Sequence, residues 1–234
     1  MIIEICANGF ESAKAAQDGG AHRIELCSDL SVGGLTPDKD LIRKVIHELN
    51  IPVHVLIRPR SGDFVYTNEE LELMLADIAY SKKMGCFGIV SGALTMKNTI
   101  DKKVTQQLIA ASEGMEFTFH RAFDLVKNHS EAIETIIQLG VSRLLSSGQQ
   151  NKAIEGIELL IQLKSLSEGK LQIMPGSGIN SENVLAFKKA GFEMIHFSAI
   201  KKTSEATKQS GLFENEVIGN SDRNEIERVI KILS

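Results

Sequence analysis

The sequence predicts an α/β chain folded as one closed (β/α)8 barrel, the TIM-barrel class, with residues 1–234 forming a single domain. Three observations predict it. Short apolar runs alternate with helical apolar periodicity along the chain, at spacings of about 20–35 residues. The alternation is completed eight times in 234 residues, and eight strand–helix units within about 250 residues are the arithmetic of a closed barrel. Glycines and capping side chains stand at the unit boundaries. An open doubly wound sheet is the alternative, but it rarely needs eight regular units.

In order, Ile2–Cys6 reads as the first strand, followed by a helix over Phe10–Gly19. His22–Leu26 precedes a helix near Pro37–Leu49, and Val53–Ile57 precedes one over Asn68–Met84. Phe87–Ser91 leads to a helix over Asp101–Glu113, and Glu116–Phe119 to one over Ser130–Leu139. Arg143–Ser146 leads to a helix over Asn151–Ser167, and Leu171–Met174 to one over Ser181–Ala190. Met194–Phe197 is the eighth strand and Arg223–Leu233 the last helix. Gly85, Gly140 and Gly191 each follow a helical pattern and suit left-handed C-caps, while Asp101, Ser130 and Ser181 suit N-caps. Strict alternation of strand and helix implies a parallel sheet.

Composition excludes several classes. Forty-three per cent apolar residues are enough for a sizeable core. A formal charge of −4 without basic runs argues against nucleic acid as partner. No apolar stretch approaches the roughly 20 residues of a membrane span, and the start Met1-Ile2-Ile3-Glu4 has no basic segment of a signal peptide. Three cysteines without a CxxC are not a secreted disulfide framework. A cytoplasmic protein is expected.

One side-chain parity of each strand meets the helices and the other points into the barrel. With the apolar parity outward, Glu4 and Cys6 fall inside, as do Arg23, Glu25 and Cys27. So do His54, Leu56 and Arg58, then Thr118 and His120, then His196 and Ser198. A structural barrel interior is mostly Val, Ile and Leu, and buried charge is costly unless paired. A polar site at the C-terminal mouth is expected, with a structural ion-pair network of Glu4, Arg23, Glu25 and His54 lower down as the bland alternative.

The loops after the strands point the same way. Cys27–Pro37 is long for a connection between a strand and its helix. Arg58-Pro59-Arg60-Ser61-Gly62-Asp63-Phe64 brings two guanidinium groups that suit a carboxylate or phosphate. His120-Arg121-Ala122-Phe123-Asp124 offers a base, a cation and a carboxylate. Gly176-Ser177-Gly178 precedes a helix, where backbone N–H groups of Gly176 and Gly178 can cradle an anion with Ser198 beside them. A tight turn is the plain alternative, because Gly-x-Gly is weak on its own.

Taken together, these segments resemble the copper homeostasis protein CutC family almost end to end. The matching stretches are Glu4-Ile5-Cys6, Gly20–Cys27, Gly33-Gly34-Leu35-Thr36-Pro37, Ile57–Tyr66 and Phe117–Asp124. Ser146-Ser147-Gly148, Met174–Ile179 and His196-Phe197-Ser198-Ala199 complete the set. The resemblance implies a cytoplasmic (β/α)8 barrel, a homo-oligomer, linked to copper handling and copper binding. Its copper thiols correspond to Cys6 and Cys27.

Two functions stay open. Copper(I) prefers soft thiolates, and Cys6 and Cys27 end adjacent strands, with Met174 and His120 as possible further ligands. Cys86 lies before the fourth strand and is structural. Alternatively the barrel is an enzyme, an isomerase, lyase or hydrolase acting on a small phosphorylated or carboxylated metabolite. In that case Glu25 or His120 is the base, Arg58 and Arg60 the clamp, and Asp124 a further catalytic carboxylate.

Overall fold

The computed structural model describes residues 1–200 and 219–234. The strands are β1 (Ile2–Ala7), β2 (Arg23–Leu26), β3 (Val53–Leu56), β4 (Gly88–Ser91), β5 (Glu116–Phe119), β6 (Arg143–Ser146), β7 (Gln172–Pro175) and β8 (Met194–Phe197). They alternate with α1 (Phe10–Asp18), α2 (Lys39–Glu48), α3 (Asn68–Met84), α4 (Lys102–Ala111), α5 (His129–Gln138), α6 (Ile157–Ser167), α7 (Val184–Lys189) and α8 (Arg223–Leu233). All strand pairs are parallel, in the order β7-β6-β5-β4-β3-β2-β1-β8. A parallel bridge between Gly176 and His196 joins β7 to β8 and brings the sheet round into a barrel.

Side-chain parity sorts as the strand period of two demands. Ile3, Ile5, Ile24, Leu26, Val53, Val55, Ile57, Phe117, Phe119, Ile195 and Phe197 join the core between sheet and helices. Two separate apolar groups line the inside: Cys6, Cys27, Leu56 and Val90 in one, Leu145, Met174 and Met194 in the other. The helices cover the outer face because their apolar stripes match it. In α8, for example, Ile226, Val229 and Leu233 are buried at three- and four-residue spacings.

Helix ends follow the local chemistry. Thr67 and Glu70 form a complete capping box on α3, and Gly85 ends it at φ 84°, a left-handed conformation that favours glycine. Asp101 caps α4 through the Val104 amide.

Three helices start later or are capped differently than the sequence pattern suggests. The cap of α5 is Asn128, not Ser130. The helix expected from Asn151 starts at Ile157, because the Ala153 amide is taken by the Ser177 carbonyl at 2.9 Å, which holds this stretch as loop. The helix expected from Ser181 starts at Val184, because Glu225 on α8 accepts the Ser181 amide (2.7 Å) and hydroxyl (3.2 Å).

Candidate functional site

The inner face of β1, β2, β3 and β8 carries the polar residues. Register places Glu4 beside Arg23 and Cys6 beside Glu25 on β2, with Glu4 beside His196 on the other flank. Arg23 Nε donates to Glu4 Oε2. His196 Nδ1–H donates to Glu4 Oε1 at 2.8 Å and lies 3.5 Å from Glu25 Oε2. His54 sits 3.9 Å from Glu4 and 3.5 Å from Glu116, which in turn accepts from Arg143 at 2.7 Å. The ion-pair network proposed as the bland alternative therefore exists, and it extends to Glu116, Arg143 and His196.

Above this network lie the thiols. Cys6 Sγ and Cys27 Sγ are 3.7 Å apart, both buried. Cys6 is near the end of β1, and Cys27 just follows β2, where its amide donates to the Ala7 carbonyl. One ligand atom each from Cys6, Glu25 and His196 lie within 4.8 Å of one another.

The electrostatics of this pocket are opposed. Burial alone would raise Glu4, but the hydrogen bond to His196 and the charges of His196, Arg23 and His54 hold its carboxyl well below the usual range. Burial pushes Glu25 up to about 7, with His196 opposing and Glu4 adding to the rise. Burial alone would depress His196, yet Glu25, Cys6 and Glu4 raise it well above an ordinary histidine. Hydrogen bonding to Cys27, then burial, lift the Cys6 thiol well above its ordinary value. Glu25 Oε2 has no hydrogen-bond donor among the described residues. An unsatisfied buried acceptor of this kind costs about 1–3 kcal/mol.

The other sequence-predicted residues lie elsewhere, engaged with the protein itself. Arg58 Nη1 donates to the carbonyls of Val32 (2.7 Å) and Gly34 (3.1 Å), Nη2 to that of Gly62 (2.9 Å), and the guanidinium stacks over Phe64. Arg60 pairs with Glu70 and Asp63 at 2.5 and 2.9 Å. The two arginines expected as one clamp thus diverge, Arg58 pinning the loop after β2 and Arg60 the start of α3. Asp124 is enclosed: it accepts from the Ser146 hydroxyl, the Ser147 amide and hydroxyl, the Gln149 amide and Arg121 Nε.

Gly176 is a correction to the expected anion cradle. Its amide donates to the Ser146 carbonyl at 3.0 Å as part of the sheet, and α7 begins only at Val184, so neither Gly176 nor Gly178 opens that helix. The Ser198 carbonyl accepts from the Ser221 hydroxyl. Met174 is set apart from the thiols, its sulfur accepting from Arg23 at 3.5 Å. His196 is the residue that sequence reasoning placed inside but gave no role. The signal available for it was its parity alone.

His120 stands against Phe64 and Phe119. Its Nδ1 accepts the Ala122 amide at 3.3 Å, so the neutral ring carries its proton on Nε2. Burial and then the charge of Arg58 push it down to about 3, and burial takes His54 down to about 4. Both are neutral in the fold at pH values where an unfolded histidine is charged. Stability is therefore lost as pH falls below about 6.5. Glu25, raised in the fold, works in the opposite sense between pH 4.5 and 7 and offsets much of the His54 contribution. His120 is left as the dominant histidine, worth on the order of 4 kcal/mol by pH 3. Urea denaturation from pH 7 to pH 4 should show a steep acid loss in the wild type and a flatter one in His120→Asn, which keeps an acceptor for Ala122. Identical slopes would remove His120 from this account.

Comparison with known proteins gives a consistent result. A family model described as the CutC family matches residues 1–201. A CutC family protein of Pasteurella multocida is 47% identical over 199 residues, covering 85% of this chain and 82% of that one. A human protein named copper homeostasis protein cutC homolog is 42% identical over 213 residues, covering 91% of this chain and 76% of its own length. The crystal structure of a CutC protein of Streptococcus agalactiae superposes with a TM-score of 0.80 at 32% identity, covering 86% of this chain and all of that one. A phosphoribosylanthranilate isomerase of Thermotoga maritima matches at TM-score 0.61 and 13% identity, covering 99% of this chain and 97% of that one, a likeness of fold alone. No helix among the described residues is long and apolar enough to cross a membrane.

Proposed function

Since the chain belongs to the CutC family, we propose that it serves copper homeostasis in the cytoplasm by binding Cu(I) through the thiols of Cys6 and Cys27 at the barrel mouth. The observation that supports this is the pair of buried sulfurs 3.7 Å apart, one near the end of β1 and one just after β2. Thiolates are the soft donors that Cu(I) prefers. With metal–thiolate bonds of about 2.3 Å, two sulfurs at this separation are within reach of one ion. The residues present therefore fit the cargo.

The chain's own part is to hold the two sulfurs together and to give up their protons. A ligating thiol is deprotonated, so binding releases protons and strengthens as pH rises. The raised Cys6 thiol carries this dependence to higher pH than an ordinary cysteine would. The enzymatic alternative is less favoured because its clamp is spent within the protein: Arg58 is bonded to loop carbonyls and Arg60 to the carboxylates of Asp63 and of Glu70 on α3.

Competition with a Cu(I) chelator under reducing conditions tests the proposal. Cys6→Ser and Cys27→Ser are each expected to weaken Cu(I) binding by more than about tenfold, or roughly 1.4 kcal/mol, and the double variant to abolish it. Cys86→Ser should leave affinity unchanged, because Cys86 belongs to the core between sheet and helices. Equal affinity in wild type and the Cys6→Ser/Cys27→Ser double variant would overturn the reading.

A further inference from the structure

The copper reading needs two thiols, yet the pocket holds two more donors of different chemistry. Glu25 is 4% exposed, and its Oε2 has no hydrogen-bond donor among the described residues. The cationic group facing that oxygen is His196 Nδ1, at 3.5 Å and already committed to Glu4, so a further cation can satisfy it. His196 is buried at the same place, and its Nδ1–H is committed to Glu4 at 2.8 Å, which leaves the other ring nitrogen as the donor atom. Glu4 is itself fixed by Arg23. A histidine whose second nitrogen is held by an anchored carboxylate is the arrangement that orients and strengthens a metal-binding imidazole.

We propose that Cys6, Cys27, Glu25 and His196 form a four-donor site for a divalent ion of borderline hardness, of the Zn2+ class. The proposal shares its thiols with the copper reading and rests on it to that extent. Two thiolates, one imidazole and one carboxylate are the donor types that Zn2+ takes in tetrahedral sites, whereas Cu(I) has little use for the carboxylate. One ligand atom each from Cys6, Glu25 and His196 lie within 4.8 Å of one another, and Cys27 Sγ, outside that trio but 3.7 Å from Cys6 Sγ, joins it by a movement of its side chain when the ion binds. One pocket thus offers a soft pair to a monovalent ion and a mixed quartet to a divalent one. Glu25 is the residue that tells them apart.

The test uses Zn2+, with Co2+ as its spectroscopic substitute, on the reduced full chain. Co2+ is expected to bind with one equivalent and to show both thiolate charge-transfer bands and the visible bands of a tetrahedral ion. Added Zn2+ should bleach both. Glu25→Gln should weaken Zn2+ binding by at least the about tenfold that losing even a residue one bond removed from a metal costs. Its Cu(I) affinity should stay within about twofold of wild type, a difference small beside one decade. Glu25→Asp, which keeps an oxygen donor, should fall between wild type and Glu25→Gln, and thermal melts of both variants confirm a folded barrel. Equal Zn2+ affinity in wild type and folded Glu25→Gln would overturn the proposal, as would absence of Co2+ charge-transfer bands in the wild type. Zn2+ binding that depends on Glu25 in a chain that fails to bind Cu(I) would support it and sink the copper reading alone.

Discussion

Arg23→Met is expected to lower the stability of the protein by about 3–5 kcal/mol, the range for removing one partner of a buried ion pair. Arg23 is 7% exposed and Glu4 fully buried, so the carboxylate cannot turn to water when its guanidinium partner is lost. His196 remains beside Glu4, but it is shared with Glu25. His54, the third neighbour, is neutral in the fold. Each kcal/mol shifts the melting temperature by about 2–4 °C in a chain of this size, so the variant should melt on the order of 10 °C lower. Methionine fills much of the same volume, which separates lost charge from lost packing. The Arg23→Met/Glu4→Gln double variant should recover most of the loss, because it removes the stranded charge as well. A single variant within about 1 kcal/mol of wild type, the scale of an exposed pair, would show that the pair contributes little. The effect also has a pH sign. Glu4 is held below its ordinary range, so its contribution is present above about pH 4.5 and fades on acidification. The deficit of Arg23→Met should shrink in acid.

A loss of similar size is expected from Gly156→Ala. A Cβ there would lie 2.1 Å from the Ser147 carbonyl oxygen and 2.8 Å from the Gly148 Cα. Both obstacles are backbone, so relief requires the loop between β6 and α6 to move as a body. That loop is fastened at both ends: the Ser147 and Gln149 amides to Asp124, and the Ala153 amide to the Ser177 carbonyl. Overpacking against groups that cannot yield costs about 3 kcal/mol. Gly178→Ala is the control. Unlike Gly156, it stands at positive φ, and its new methyl would meet only the Lys152 side chain, so the cost should be the about 1–2 kcal/mol of a left-handed residue. Thermal melts decide. If Gly156→Ala is no worse than Gly178→Ala, the backbone contact is not what fixes this loop.

Much of the barrel was legible because its signals are local. Alternation in Val53–Leu56 and in Glu116–Phe119 assigns inside and outside without knowledge of any neighbour, and the structure keeps that assignment. The late starts of α6 and α7 were not legible, because the groups that hold them off are distant. Ser181 looks like a cap until Glu225, 44 residues away, takes its amide. The candidate site divides in the same way. Cys6, Glu25 and Cys27 follow from parity on two strands that are neighbours in sequence. His196 joins them only because β8 closes against β1, 192 residues from Glu4. Arg58 and Arg60 look alike from sequence, two cations in one short loop. They separate because one finds three carbonyls and the other finds Glu70, the capping-box residue of α3.

The ring has a clasp. Every neighbouring pair of strands is joined by a ladder except β7 and β8, which meet through the single bridge of Gly176 and His196. The first strand is the last but one in the hydrogen-bonded band, with the eighth hung on its outer edge. Joining chain segments so far apart is entropically slow, so the eighth strand is expected to join last in assembly. It brings with it the histidine of the mouth. A barrel without its eighth strand therefore holds both thiols, Glu25 and Glu4 but lacks His196. Whatever binds across the first, second and eighth strands stabilises only the finished ring, and by mass action draws the last stave into place. Under the proposed metal binding, cargo and closure are two readings of one equilibrium.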